Sequence, residues 1–210
     1  QKMKHFSKED ISKMSSIYRL NMINSCTGYK SANLIGTKSK KGVTNLAVFN
    51  SVIHLGSNPP LIGFILRPTT VARHTYENLK DTGGFTVNHI HYSQIEDAHH
   101  TSAKYQENTS EFDQTKLEEE YKIKIEVPFV KNSPVQLACS YVNEYHIEEN
   151  DTLMIVGQIE HIFIQNEILQ KDGWLQLEKG GVVTINGLEG YALPKHLDRF
   201  PYARPNLKQK

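Results

Sequence analysis

Cysteine is scarce in this chain, with only Cys26 and Cys139 among its 210 residues. Their spacing fits neither a zinc site nor a redox pair. We interpret them as two free thiols in a reducing compartment, where disulfides are rare.

Long apolar runs and an excess of charge of one sign are also missing. The run Leu61 to Leu66 is far too short to cross a bilayer, and the first ten residues, QKMKHFSKED, contain no apolar signal region. We therefore expect a soluble, cytoplasmic protein with no membrane partner. The formal net charge is +1 and the lysines are scattered, which argues against a nucleic-acid partner because such proteins carry a basic stripe.

The motifs of common hydrolases and nucleotide enzymes are absent as well. The sequence contains no GxSxG, HExxH, P-loop or GxGxxG pattern. A hydrolase would have to be argued from isolated residues, and no catalytic residue is predicted.

Four histidines could form a metal site. His89 and His91 would share one face of a strand, and His99 and His100 lie in the helical segment beyond it. Since no carboxylate or cysteine stands at ligand spacing beside them, surface or hydrogen-bonded structural roles are favoured and no metal site is predicted.

The pattern of apolar residues and turn signals predicts a mainly β fold with a few short helices inserted. The predicted strands are Ser31 to Lys38, a run beginning at Gly42, Leu61 to Leu66, Phe85 to His91, Lys122 to Val130, Val135 to Tyr145 and Thr152 to Gln165, the last with a bulge at Gly157. Most are linked as hairpins, which favours a closed antiparallel barrel over a doubly wound sheet.

Helices are predicted where capping residues precede helix-forming segments. They are a helix from the capping box Ser7 to Asp10 through Met14, one with Thr75 as N-cap and Gly83 after its end, one over Ser93 to Tyr105, and a further turn capped by Ser110. We predict a single domain over residues 1–210. It has a helical N-terminal extension of about residues 1–30 and an irregular C-terminal arm of about residues 187–210.

The stretch from Gly42 to Arg67 is the candidate ligand edge. Its first strand carries small polar side chains among apolar ones, so both faces are mixed, as expected at a wet cleft or an interface. These polar residues are Thr44, Asn45, Asn50 and Ser51, and satisfaction of local backbone or solvent remains an alternative explanation for them.

The same stretch resembles the flavin reductase-like family of FMN-binding split barrels, which includes flavoredoxins and NAD(P)H:flavin oxidoreductases. The resemblance rests on Gly42 to Val52, Asn58 to Phe64, Arg67-Pro68, Thr75 with Asn78-Leu79, and Gly84 to Asn88, and extends more loosely from about Ser31 to Gly187. It implies a Greek-key antiparallel split β-barrel that forms a homodimer, with one FMN per subunit at or near the interface.

The resemblance also implies the positions that would contact FMN. The positions carried over from the family would contact FMN mostly through backbone groups. They are Thr44, Asn45, Leu46, Ala47, Asn50, Ser51 and Val52. Thr75 and Asn78, at the start of a helix, and Arg67 or Arg73 would serve the phosphate, since a helix N-terminus offers free amides and a positive dipole end. Thr101 and Ser102 are further candidates, possible contributors from the facing subunit.

The implied activity is transfer of electrons from NADH or NADPH to the flavin, followed by release of reduced flavin or transfer to an acceptor protein. The cofactor carries such chemistry, so no general acid or base is required. A flavoredoxin-like electron carrier and a barrel that binds a ligand without redox chemistry remain alternatives, and the second predicts a colourless protein.

Overall fold

The computed structural model describes residues 2–67 and 74–205, and antiparallel strands dominate this part of the chain. The largest sheet contains β2 (Asn33–Lys38), β3 (Thr44–Phe49), β4 (Ile53–Ser57), β5 (Pro60–Leu66), β6 (Gly84–His89), β9 (Val135–Ile147) and β10 (Thr152–Ile164). Within the described residues its order is β3-β2-β6-β9-β10-β5-β4. The predicted hairpins β2–β3 and β9–β10 are both present.

The sheet closes on itself but stays split between its two end strands. β3 and β4 lie at opposite ends of the strand order, yet only residues 50–52 separate them along the chain, so the ends must come together. No ladder joins β3 to β4 in the described part of the chain. β5 pairs with β10 while β6 pairs with β2 and β9, so the chain crosses over two strands in the Greek-key manner. The predicted antiparallel split barrel is confirmed.

Five helices in the described residues surround or precede this barrel. They are α1 (Lys8–Lys13), α2 (Ser16–Cys26), α3 (His74–Thr82), α4 (Ile95–His100) and α5 (Glu111–Gln114). Short strands form two further sheets: β1 (Tyr29–Ser31) pairs with β11 (Thr184–Asn186), which pairs with β12 (Gly190–Ala192), and β7 (Glu119–Glu120) pairs with β8 (Phe129–Val130). No described helix is long and apolar enough to cross a membrane.

Two apolar cores lie on the two faces of β2 and β3. The barrel interior contains Phe64 and Phe85, whose rings meet edge to face with centroids 5.6 Å apart. The second core packs Leu34 and Leu46 against Phe112 of α5 and residues of α4, β8 and β11. Because β2 is covered on both faces, it is buried along almost its whole length.

Several predicted boundaries are confirmed and others are wrong. The capping box at Ser7, the left-handed Gly83 and the Ser110 cap are all present. The register of the β9–β10 hairpin shifts at Gly157, as predicted for a bulge, and a Cβ there would lie 2.4 Å from the Phe85 ring.

The predicted strand from Lys122 to Val130 is the clearest error. Only Phe129–Val130 is a strand, since Ile123 has a φ of 53°, in the left-handed region that breaks an extended run. The predicted helix over Ser93 to Tyr105 is likewise too long. A 3₁₀ turn at Tyr92–Gln94 comes first, and the α-helix covers only Ile95–His100. β6 ends at His89 rather than at His91.

Residues at both ends of the chain bury little surface. α1 and α2 contain no buried residue, and α2 was missed by the sequence analysis. The predicted irregular arm contains the short strand β12 and then an extended segment that is exposed from 193 to 205. Arg199 anchors this segment, since its guanidinium contacts Asp172 at 2.6 Å and lies 4.6 Å from the ring centroid of Trp174.

Candidate functional site

A cleft of about 1430 Å³ opens at the split in the barrel. Its walls come from β3, the link over residues 50–52, the end of β5, the first turn of α3, the segment after α4, and the β11–β12 loop. Ten of the twelve predicted cofactor-binding residues line it: Asn45, Leu46, Ala47, Asn50, Ser51, Val52, Arg67, Thr75, Thr101 and Ser102. Most of the residues predicted from the sequence therefore lie together in one continuous cleft.

Two of the twelve predicted residues, Thr44 and Asn78, lie outside this lining. The Thr44 hydroxyl donates to Glu119 Oε1 at 2.7 Å and shares a hydrogen bond with Ser110. Asn78 Nδ2 donates to Thr37 Oγ1 at 3.0 Å, which ties α3 to β2. Both side chains are buried and engaged in joining elements of the fold.

The outer edge of β3 is occupied by side chains from the neighbouring helical segments. The Leu46 amide donates to Glu111 Oε1 at 2.7 Å, and the Val48 amide donates to Thr101 Oγ1 at 3.0 Å. These amides are not used in the β2–β3 ladder, since they point away from β2. Since one N–H makes one strong hydrogen bond, these two donors are already satisfied. A ligand in the cleft would meet other groups of this edge.

The polar side chains of the link between β3 and β4 also have partners within the chain. Asn50 Nδ2 donates to the carbonyl oxygen of Gly187 at 3.0 Å. Ser51 Oγ accepts from the amide of Ile65 at 3.0 Å. Asn45 Nδ2 donates to Thr75 Oγ1 at 3.0 Å. Because α3 begins at His74, Thr75 lies inside its first turn and is not its N-cap as predicted. These bonds fix the shape of the cleft wall.

Cationic side chains slightly outnumber carboxylates in the cleft lining. Among the described lining residues, Lys30, Arg67 and Lys104 are cationic, and the carboxylates are Glu111 and Glu189. α3 begins at the cleft, where a helix N-terminus adds a positive dipole end. This charge distribution favours an anionic ligand group. The predicted Arg73 lies outside the described residues.

Glu111 is the lining residue whose importance the sequence analysis missed. Its side chain is buried, and burial raises the pKa of its carboxyl, although the hydrogen bond from the Leu46 amide and the nearby His74 oppose this. An acidic residue directly after a serine cap resembles an ordinary exposed helix-first-turn carboxylate. The sequence therefore contains no signal that this side chain turns inward.

Of the four histidines considered as metal ligands, two bond to other side chains. His91 Nδ1 shares a hydrogen bond with Ser93, and His99 Nδ1 shares one with Tyr191. Within residues 2–67 and 74–205, no group of three or more His, Cys, Asp or Glu side chains is arranged to hold a metal ion.

Comparison with known proteins agrees with this architecture. The sequence profile described as flavin reductase like domain matches residues 29–185. The fold is similar to the crystal structure of a protein with a split barrel domain, assigned to flavin reductases, from Shewanella frigidimarina. Its TM-score is 0.92 at 43% identity, over 96% of this chain and 100% of that one.

Two more distant structures share the fold alone. Flavoredoxin of Desulfovibrio vulgaris has a TM-score of 0.69 at 20% identity, over 87% of this chain and 93% of that one. An FMN-binding protein from Thermus thermophilus has a TM-score of 0.68 at 15% identity, over 84% of this chain and 93% of that one.

Proposed function

Because the chain belongs to the flavin reductase-like domain family, we propose that it is an oxidoreductase that binds FMN in the cleft at the barrel split and passes electrons to it from NADH or NADPH. The observation that carries this proposal is the cleft itself. It combines the end of the split sheet, the three cationic side chains and the N-terminus of α3 in one space of about 1430 Å³. That volume exceeds the range of a typical small-ligand pocket, which leaves room for a cofactor and a second reactant.

The residues of the cleft fit an FMN molecule in polarity as well as in size. Tyr105 lines the cleft, and its buried hydroxyl has no hydrogen-bond partner in the described part of the chain. A buried polar atom of this kind is expected to have a partner, which a ligand would supply. Arg67 and the first turn of α3, with Thr75, are the groups suited to a phosphate.

The chain's own contribution is to bind, orient and shield the cofactor. When bound, FMN supplies the hydride-accepting chemistry. Phe49, Val52 and Ile65 give the cleft an apolar wall that excludes water, while the hydrogen bond from the Ile65 amide to Ser51 keeps the link between β3 and β4 in place. No proton-transferring side chain is needed for this role, in agreement with the lack of a catalytic motif.

Absorbance spectroscopy tests the proposal directly. The purified protein, supplied with FMN, should be yellow, release FMN on denaturation, and bleach when NADH or NADPH is added without oxygen. Bleaching by neither donor, with FMN still bound, would indicate a carrier that receives electrons from another protein. A colourless protein that fails to bind added FMN would refute flavin binding altogether. The physiological acceptor, free flavin or an acceptor protein, is then found by testing each as an oxidant of the reduced protein.

We also propose that the protein is a homodimer, on the basis of the outer face of the barrel beside the cleft. One row across β9, β10 and β5 is Tyr145, Met154 and Ile65, and the next row contains Ile53. An antiparallel sheet that faces water normally presents polar residues there. Ile53, Ile65 and Met154 also line the cleft, so a second copy on this face would cover its open side.

Sedimentation of a surface variant tests this interface. Tyr145→Lys places a charge on a side chain that is 58% exposed and should yield monomers. Ile123→Lys changes a 70% exposed apolar residue that does not line the cleft, and should remain dimeric. A wild-type monomer at micromolar concentration, or a dimeric Tyr145→Lys protein, contradicts the proposal.

We further expect the protein to work in the cytoplasm, where Cys26 and Cys139 remain the free thiols that they are in the structure.

A further inference from the structure

Glu111 is an acidic residue in a buried position, where carboxylates are rare. It is the first residue of α5, its side chain is 5% exposed, and it lines the cleft. Its Oε1 accepts the hydrogen bond of the outward Leu46 amide at 2.7 Å. Acidic side chains are almost never this buried unless the fold gives them a specific partner.

Satisfying the edge of β3 does not require a charge. The neighbouring outward amide, that of Val48, is satisfied by the neutral hydroxyl of Thr101 at 3.0 Å, and Thr101 is equally buried at 4% exposure. Two adjacent amides of one edge are thus capped in two chemically different ways. The carboxylate of Glu111 therefore adds to the cleft wall a negative charge that the hydrogen bond to the amide does not require.

The charged groups around that carboxylate come from several elements. β3 contains none, α3 presents His74 at the cleft, and β7 presents Glu119, which is bonded to Thr44. The segment after α4 contributes Lys104 to the same cleft, which Lys30 and Arg67 also line. A negative charge in a buried wall acts over several ångströms because the protein interior screens it weakly.

We propose that Glu111 is a positioning residue that holds the edge of β3 along the cleft and sets a negative charge against the cofactor there, lowering the reduction potential of bound FMN. This inference rests on the proposed function. Reduction adds negative charge to the flavin, so a nearby carboxylate disfavours the reduced form. The bound flavin becomes a stronger reductant for the acceptor that follows. Since burial raises the pKa of Glu111, its charge and hence this effect should grow as pH rises through that pKa.

Three variants separate the hydrogen bond from the charge. Glu111→Gln keeps an oxygen that can accept from the Leu46 amide but removes the charge. Glu111→Ala removes both, and Thr101→Val removes the neutral acceptor of the Val48 amide while leaving the charge in place. The measurements are the midpoint potential of bound FMN at pH 6 to 9, the dissociation constant of FMN, and hydrogen exchange at the Leu46 amide of the cofactor-free protein.

The expected result is a higher potential in Glu111→Gln than in the wild type at every pH above the pKa of Glu111. Each tenfold change in the ratio of the dissociation constants of oxidised and reduced FMN corresponds to about 30 mV. Exchange at Leu46 should be fast in Glu111→Ala and near the wild-type rate in Glu111→Gln. Thr101→Val should leave the pH dependence of the potential unchanged.

Two outcomes would overturn the proposal. One is a potential in Glu111→Gln that matches the wild type across the whole pH range. The other is slow exchange at Leu46 in Glu111→Ala, which would show that the carboxylate does not hold the strand. If the wild type binds no FMN, the proposed function fails, whereas the exchange measurement on the cofactor-free protein still decides the positioning role.

Discussion

Mild acid should destabilise this protein through His89, at the end of β6. Its Nδ1 is buried and has no hydrogen-bond partner in the described part of the chain. In the ladder it lies opposite Asn33 of β2, which is fully buried and whose Oδ1 also has no partner among the described residues. Burial lowers the pKa of His89 from the usual 6.5 to about 4. The folded protein therefore holds a neutral ring where the unfolded chain takes up a proton.

The size of the effect follows from these two pKa values. A proton that binds the unfolded chain more tightly reduces the free energy of unfolding as pH falls, starting near pH 6.5 and ending below about pH 4. Between pH 7.5 and 5 the reduction is about 2 kcal/mol, and the complete reduction is about 3 kcal/mol. The ring as a whole is only half-buried, so we expect about 1 to 2 kcal/mol over that interval.

Urea unfolding of the wild type and His89→Gln at pH 7.5, 6.5 and 5 measures this contribution. The wild type should lose more stability than the variant as pH falls. Glu111 acts in the opposite sense, since its raised pKa gives stability at low pH that is lost as pH rises through that value, but it is present in both proteins and cancels. His146→Gln, at the exposed end of the β9–β10 hairpin, controls for the loss of a histidine as such. Parallel profiles of wild type and His89→Gln, or a His89 ring that titrates near 6.5 by NMR, would refute the reasoning.

Two further predictions concern packing. Gly157→Ala should lower the free energy of unfolding by about 1 to 3 kcal/mol, because the new methyl group would lie 2.4 Å from the Phe85 ring; Gly56→Ala, where the nearest atom is 3.4 Å away, should cost less in the same denaturation assay, and equal costs would contradict this. Trp174→Ala should speed trypsin cleavage after Arg199, because it removes the ring on which that guanidinium rests; an unchanged rate of cleavage would show that the arm is held elsewhere.

Elements that depend on local signals could be predicted from the sequence. The hairpins β2–β3 and β9–β10, the Ser7 and Ser110 caps and the left-handed Gly83 are set by turn and capping residues within a few positions of each other. β1, β11 and β12 escaped prediction because each is three residues long and β1 finds its partner about 155 residues later. α2 escaped because it buries no residue and so needs no regular apolar stripe.

The polar residues that predicted the candidate site are polar for a different reason from contact with a ligand. Polar side chains in the stretch from Gly42 to Arg67 predicted a ligand edge, yet those of Thr44, Asn45 and Ser51 bond to the chain itself. Strand β3 is the end of an incompletely closed sheet, so its outward groups need side-chain partners where other strands have a ladder.

A strand without a neighbour on one side is also where a barrel is open to a ligand. Polarity in such a strand therefore marks the position of the cleft correctly while saying little about which atoms a ligand contacts. Glu111 could not be predicted in this way, because it caps the same edge from a helix about 65 residues away and nothing in its local sequence distinguishes it. Groups that complete an open edge come from distant segments, and they are the part of a split-barrel site that only the folded structure supplies.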